Sequence, residues 1–202
     1  MAQRHGRHGI TERRRKRIEN VLQARQPDLT LVMENINDPH NLSAVMRSAD
    51  AVGILHVHLL YHSGQAMPKL KRSSSAGAHK WLEVHTHTSV EECFTALRRR
   101  NMTIYTTHLQ EDAVSIFDID LTKPVALVFG NEHSGVSEEA AAAADGNVLI
   151  PQSGMIESLN ISVACAVSVF EAFRQREAAG MYEESRLSPA RLEELRAEWY
   201  KK

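Results

Sequence analysis

Apolar residues along this chain fall into two rhythms. Short runs dense in Val, Ile and Leu occupy residues 29–35, 53–60, 81–86, 102–106, 124–129 and 147–150, and each reads as a strand. Between them, residues 42–51, 89–100, 137–143 and 158–179 carry apolar positions at three- and four-residue spacings, the period of a helix. Alternation of the two predicts an α/β fold, a mostly parallel sheet with helices on both faces. Its active groups are expected at the carboxyl ends of the strands. Two more helices stand at the ends. Thr11 to about residue 25 places Ile18, Val21 and Leu22 on one stripe before Pro27 ends the pattern. Residues 187–200 align Leu192, Leu195 and Trp199 behind a Ser188-Pro189 start. Neither helix is stable alone, so each is expected to dock on the domain or on a partner subunit. The expected organisation is a basic arm and helix (1–26), a central domain (27–180) and a helical extension (181–202).

Composition narrows the class. With 202 residues, 43% of them apolar, the chain can bury one sizeable core. Charge interrupts every apolar stretch well short of a membrane span and no secretory signal opens the chain, so a cytoplasmic protein without a membrane partner is expected. The net charge is only -1, but residues 1–25 hold eight basic against two acidic side chains, a local +6 that can neutralise phosphates. Arg13, Arg14, Arg15, Lys16 and Arg17 form the densest part of it. Together with Lys69, Lys71, Arg72 and Lys80 in a Ser-, Gly- and Lys-rich connection, they are the candidate track for a folded RNA. Cys93 and Cys165 match no redox or ligand spacing and read as buried thiols. His56 and His58, like His85 and His87, alternate on strands. With no cysteine beside them and no HExxH motif, no metal is expected.

Three polar loops carry the chemistry. The first, Glu34-Asn35-Ile36-Asn37-Asp38-Pro39-His40-Asn41, leads from a strand into a helix that is expected to start near Asn41 as its cap. One turn on, Ser43 and Arg47 stand four apart. Arg47 offers a fork of donors for a phosphate or carboxylate, or it pairs with Asp50 or another acid. In the second, Gly130 and Gly135 bracket Glu132 and His133 ahead of Ser137, the cap of the next helix. Gly130 permits close approach of a ligand to the backbone, while Glu132 either holds a base, orients an arginine or is a solvated loop acid. The third, Ile150-Pro151-Gln152-Ser153-Gly154, ends in Ser158 and Asn160, polar groups at the start of an otherwise apolar helix that Ser158 is expected to open; either a ligand or facing loop partners them or the two simply cap the helix. No dinucleotide fingerprint or Walker loop is present.

The segments ENINDPHNLSAVMRSADAVG, LVFGNEHSGVSEEAAAAAD and IPQSGMIESLNISVACAVSVFEAFRQR, in that order, resemble the SPOUT class of methyltransferases and within it the SpoU branch that methylates guanosine 18 of tRNA. The likeness extends into the basic first helix and the closing LRAEWYKK. It implies a deep C-terminal trefoil knot, a homodimer with sites near the subunit interface, and S-adenosylmethionine as methyl donor. It also implies transfer to a ribose 2'-hydroxyl in the tRNA D-loop, with tRNA rather than DNA as partner and no metal in the reaction. By that resemblance Thr107, Gly130, Ile150 and Leu159 cradle the donor, and Asn41, Arg47, Glu132, Ser158 and Asn160 are the polar active-site positions, Arg47 being central. Arginine is a very weak base, with a pKa above about 12, so a cationic Arg47 that grips the adjacent phosphate is the chemically preferred role over proton acceptor. His79 and His133 are candidates for RNA or supporting contacts. The same reaction on rRNA or at another tRNA position, and a non-catalytic RNA-binding assembly factor, are the alternatives.

Overall fold

The computed structural model describes residues 10–65, 77–107, 113–156 and 158–202. Its elements are α1 (Glu12–Gln23), β1 (Gln26–Glu34), α2 (Pro39–Ala51), β2 (Ile54–Leu60), β3 (Glu83–His87), α3 (Val90–Arg98), β4 (Thr103–Thr106), β5 (Val114–Ser115), β6 (Val125–Phe129), α4 (Glu138–Ala143), β7 (Gly146–Leu149), α5 (Ile161–Ala178) and α6 (Pro189–Trp199). A 3-10 turn at Ala78–Lys80 precedes β3. The strands form a seven-stranded sheet in the order β3-β2-β1-β6-β4-β7-β5, and every pairing is parallel.

Both faces of that sheet are covered, which is why its strands read as apolar runs. Leu31 and Met33 of β1, with Leu127 and Phe129 of β6, enter the core with Leu42, Val45 and Met46 of α2 and Cys165 and Val169 of α5. The alternate residues Val32, Ala126 and Val128 face Val90, Phe94 and Leu97 of α3 and Ala140 of α4. A third cluster joins the ends of the chain: Ile18 and Leu22 of α1 meet Leu55, Leu187, Leu195 and Trp199. Arg196 clasps Glu19 through Nε–Oε1 at 2.8 Å and Nη2–Oε2 at 2.9 Å, so the terminal helices stabilise each other.

Four expectations are corrected. The first loop's helix begins at Pro39 with Asp38 as its cap, the Asp38 carboxylate accepting His40 N at 2.8 Å, because proline at the first helical position sacrifices no needed N–H. Asn41 lies inside that helix. The long last helix of the domain starts at Ile161, and Asn160 rather than Ser158 caps it, accepting Ser162 N at 2.9 Å and Ser162 Oγ at 2.6 Å. Pro27 does not follow the first helix directly but lies in β1, where the register shifts between Gln26 and Thr30 and no ladder N–H is required. Arg25, one of the basic residues of the amino-terminal segment, is fully buried: it donates to Ile54 O at 2.7 Å and Asp50 Oδ1 at 2.6 Å beneath the Trp199 ring.

Candidate active site

The order of strands brings the loops after β1, β4, β6 and β7 to one edge of the sheet. β6 is inserted between β1 and β4, so chain direction across the sheet reverses there, and crevices that bind ligands form at such points. A cavity of about 530 Å³ opens at this edge, within the usual size of a small-molecule site. Its floor is apolar, from Ile116, Phe129, Val148, Ile150 and Ile161. Its rim is polar, from residues 130–135, Gln152, Ser158 and Asn160. Thr107, Gly130, Ile150 and Leu159 all line it, as do Glu132 and His133.

The rim is held by hydrogen bonds between the three loops. Asn131 and Gly135 exchange backbone hydrogen bonds at 2.9 Å in each direction, closing a tight turn with Gly135 at φ +69°. The Asn131 carboxamide accepts His133 N at 2.9 Å and donates to Asn35 O at 2.8 Å, tying the second loop to the first. Glu132, half-buried, accepts from Asn37 N and Asp38 N at 3.4 Å and from Asn41 Nδ2 at 3.2 Å. Asn41 Oδ1 in turn accepts Asn160 Nδ2 at 3.2 Å. Glu132, Asn41 and Asn160 therefore form one chain of contacts from the second loop through α2 to the cap of α5. Asn41 reaches the cavity only through its two partners. Thr107 pins the end of β4 to β6, its N and Oγ1 both donating to Val128 O at 3.0 Å.

Arg47 stands apart from this chain. It is exposed on α2, contributes nothing to the cavity wall, and engages no partner among the described residues. The pairing with Asp50 does not form, because Arg25 occupies that carboxylate. Ser43, in the same helical row, is buried and donates to Pro39 O at 2.7 Å. Arg47 thus presents its fork of donors on the exposed face of α2, while Glu132, Asn41 and Asn160 bond to one another.

Sequence reasoning does not single out Glu34. At the end of β1 it is only 1% exposed, yet its carboxylate accepts Ser137 N at 2.9 Å and Ser137 Oγ at 2.5 Å and meets His62 Nε2 at 2.6 Å. It thereby fixes both the second loop and the start of the 61–80 connection. An acid closing an otherwise apolar strand is the signal that identifies such an anchor. Nor does the loop's sequence distinguish Asn131, which holds the turn together, from its neighbour Glu132.

Of the basic candidates, Arg13 to Arg17 are exposed on α1 and Lys80 is exposed on the 3-10 turn, which also carries His79. Arg14 lies 6.0 Å from the Trp81 ring and Arg15 lies 5.4 Å from that of Tyr200, which brings the start of α1 beside Lys80. Lys69, Lys71 and Arg72 lie outside the described residues.

Gly130 is a steric requirement of the site. A Cβ there would lie 2.0 Å from Gly135 C and 2.1 Å from Val136 N, both backbone atoms. Gly130→Ala is expected to push the two strands of the turn apart and weaken binding of a ligand in the cavity on the order of tenfold or more. Calorimetric titration with S-adenosylmethionine checks this, and unchanged affinity would show that the turn can move at no cost to the site.

Residues 28–170 match the SpoU rRNA Methylase family. The chain belongs to this family. Among SpoU family members, the tRNA (guanosine(18)-2'-O)-methyltransferase of Thermus thermophilus is 49% identical over 192 residues, covering 95% of this chain and 98% of the relative. The crystal structure of the A. aeolicus TrmH/SpoU tRNA modifying enzyme superposes with a TM-score of 0.87 at 36% identity, over 94% of this chain and 96% of that one. The SpoU methyltransferase AviRb from Streptomyces viridochromogenes, in complex with AdoMet, has a TM-score of 0.67 at 26% identity, over 77% of this chain and 59% of that one. This SpoU protein therefore has the α/β SPOUT fold. An apolar cavity floor beneath a polar rim suits a nucleoside joined to an amino acid, the shape of S-adenosylmethionine, while the space beside Gly130 is filled by the Gly135–Val136 backbone rather than left open to a ligand. No helix among the described residues is long and apolar enough to cross a membrane.

Proposed function

We propose that this protein transfers the methyl group of S-adenosylmethionine to the ribose 2'-hydroxyl of guanosine 18 in the D-loop of tRNA. The observation that carries this reading is the 49% identity to an enzyme of that name across 98% of its length and 95% of this chain. The rRNA-directed relative from Xanthomonas campestris matches less well, at 36% identity over 64% of its length.

The donor supplies an electrophilic methyl on a sulfonium, and the chain supplies position and charge. Thr107, Gly130, Ile150 and Leu159 hold the donor in the cavity. Glu132, Asn41 and Asn160 orient the ribose and guanosine at the rim with Ser158, which is exposed there. Arg47 remains cationic, grips the neighbouring phosphate with its fork and stabilises the negative charge growing on the 2'-oxygen, whose proton passes to water. Its exposure, and the absence of an acid partner for it among the described residues, support that role.

The homodimer and the trefoil knot belong to the same reading. Met155, Ile156, Leu159, Val163 and Phe170 form an exposed apolar row along the third loop and α5, next to the rim, which supports a subunit interface there. The chain leaves β7, beyond β4, and returns to pack α5 against α2, a crossing that supports the knot. Residues 27–180 are the catalytic unit of a cytoplasmic enzyme, with 1–26 as its basic, RNA-facing arm and helix and 181–202 as a helical extension.

The deciding assay incubates the protein with labelled donor and tRNA transcripts that carry guanosine or another base at position 18, then maps the methylated ribose. Methylation confined to guanosine 18 is expected. Methylation indifferent to that nucleotide would move the target elsewhere, and donor-free RNA binding would leave an assembly factor. Neutralising Arg13 to Arg17 is expected to weaken tRNA binding and to flatten its salt dependence by roughly 0.7–0.9 in log–log slope for each phosphate no longer neutralised. Filter binding across a salt series measures both, and an unchanged slope would remove α1 from the interface.

A further inference from the structure

Away from the cavity, the edge of the sheet carries a ladder of four imidazoles. His56 and His58 of β2 and His85 and His87 of β3 occupy alternate positions on adjacent parallel strands, with His58 opposite His85 and Leu60 opposite His87. The His58 ring stacks 4.8 Å from His85 and 5.1 Å from His87. His56 Nδ1 meets His85 Nε2 at 3.1 Å, and His58 Nδ1 meets His87 Nε2 at 2.9 Å. The first turn of α3 lies over the inner pair and brings in Cys93, which is completely buried.

Hydrogen-bond accounting separates the two pairs. A neutral imidazole has one donor and one acceptor, and the His58–His87 contact uses one nitrogen of each ring. The other two, His58 Nε2 and His87 Nδ1, are buried with no hydrogen-bond partner among the described residues, on side chains of residues only 3% and 9% exposed. With His58 Nδ1 donating, the His87 N–H has only the Glu92 carboxylate, 3.5 Å off, and the buried His58 Nε2 lone pair has no donor among the described residues; the other tautomer leaves both atoms without a partner there. Folded proteins rarely tolerate this unless something binds there. The nearby carboxylate oxygen Glu92 Oε1 stops 3.5 Å from His87 Nδ1. The outer pair has no such orphan atoms, and its neighbour Glu83 is already paired with Arg191.

We propose that His58, His87 and Cys93 bind a zinc-class divalent transition-metal ion that staples α3 to the edge of the sheet. One ligand atom from each of the three lies within 4.8 Å of the others. Metal–nitrogen bonds of about 2.0–2.1 Å and metal–sulfur bonds of about 2.3 Å place tetrahedral ligands roughly 3.3–3.6 Å apart, so side-chain movements of about 1 Å close the site. Two imidazoles and a thiol supply three of the four donors that a tetrahedral zinc-class ion takes, and the fourth falls to Glu92 Oε1, 3.5 Å from His87 Nδ1, its other oxygen holding Thr88 N and Oγ1. On binding, the sulfur–hydrogen bond of Cys93 breaks, its proton leaves to solvent and the thiolate pair forms the bond to the ion. None of the three ligands lines the cavity, so the ion stabilises the folded chain and takes no part in methyl transfer.

The test uses untagged, full-length protein stripped with a chelator and then titrated with Co²⁺ and with Zn²⁺. One equivalent per chain is expected, with a thiolate-to-cobalt charge-transfer band and tetrahedral visible bands that Zn²⁺ abolishes. A hundredfold excess of Zn²⁺ over its Kd is expected to raise Tm by roughly 5–10 °C. Cys93→Ala and His87→Gln should remove the thiolate band and the Tm rise, whereas Cys165→Ala should keep both. Wild-type protein that gives no thiolate band and the same Tm with and without Zn²⁺ overturns the proposal.

Discussion

Arg47→Ala is expected to lower the single-turnover rate of methyl transfer by about 10²–10³-fold while leaving donor affinity unchanged, the pattern for loss of a group that stabilises charge only in the transition state. Arg47 is outside the cavity wall and bonded to none of the described residues, so its removal opens no hole and orphans no partner among them. Stability should therefore be preserved, and the lost rate can be attributed to chemistry. Arg47→Lys separates charge from geometry: an ammonium keeps the point charge but loses the fork, so an intermediate rate is expected if phosphate is gripped through two donors. Single-turnover kinetics and calorimetry with the donor measure the two quantities independently. An alanine variant that turns over near the wild-type rate would remove Arg47 from the reaction.

The alternating rhythm was legible because a parallel sheet covered on both faces forces apolar runs onto strands such as Val125–Phe129, every residue of which is buried. Val114–Ser115 was not legible, since two residues cannot display a period and the strand exists only through its pairing with β7. Helix starts were misplaced wherever several capping residues competed, at Asp38 against Asn41 and at Asn160 against Ser158. Which one wins depends on where the preceding loop is tied. At the site, the polar residues were legible as motifs, but their contacts were not. The Glu132–Asn41 and Asn41–Asn160 hydrogen bonds join residues 91 and 119 positions apart, distances that no local pattern encodes. Charge was misleading in one direction only: Arg25 reads as part of a phosphate-binding run, yet the fold commits it to Asp50 and the Ile54 carbonyl.

Arg176→Met is expected to destabilise the protein by about 3–5 kcal/mol, the usual cost of removing one partner of a buried ion pair, and to lower Tm on the order of 10 °C. Arg176 lies on the last turns of α5, wholly buried, and its guanidinium donates to Leu121 O at 2.9 Å, Lys123 O at 3.0 Å, Gln26 Oε1 at 3.0 Å and Asp28 Oδ1 at 2.6 Å. It joins α5 to the first strand and to the loop before β6. Methionine fills the stem but satisfies none of these acceptors, and Asp28 keeps only Arg186. The pH dependence gives a second readout. Burial opposes ionisation of Asp28, but hydrogen bonds from Arg186 and Arg176 outweigh it and hold the carboxyl below its usual value. A depressed carboxyl contributes stability above its unfolded pKa, near 4, and loses it as pH falls through the folded value. The wild-type protein should therefore lose this increment on acidification below about pH 4, and Arg176→Met should lose less of it. Thermal unfolding between neutral and acid pH measures both effects, and a variant with wild-type Tm and an unchanged acid limb would show that the buried guanidinium is dispensable to the fold.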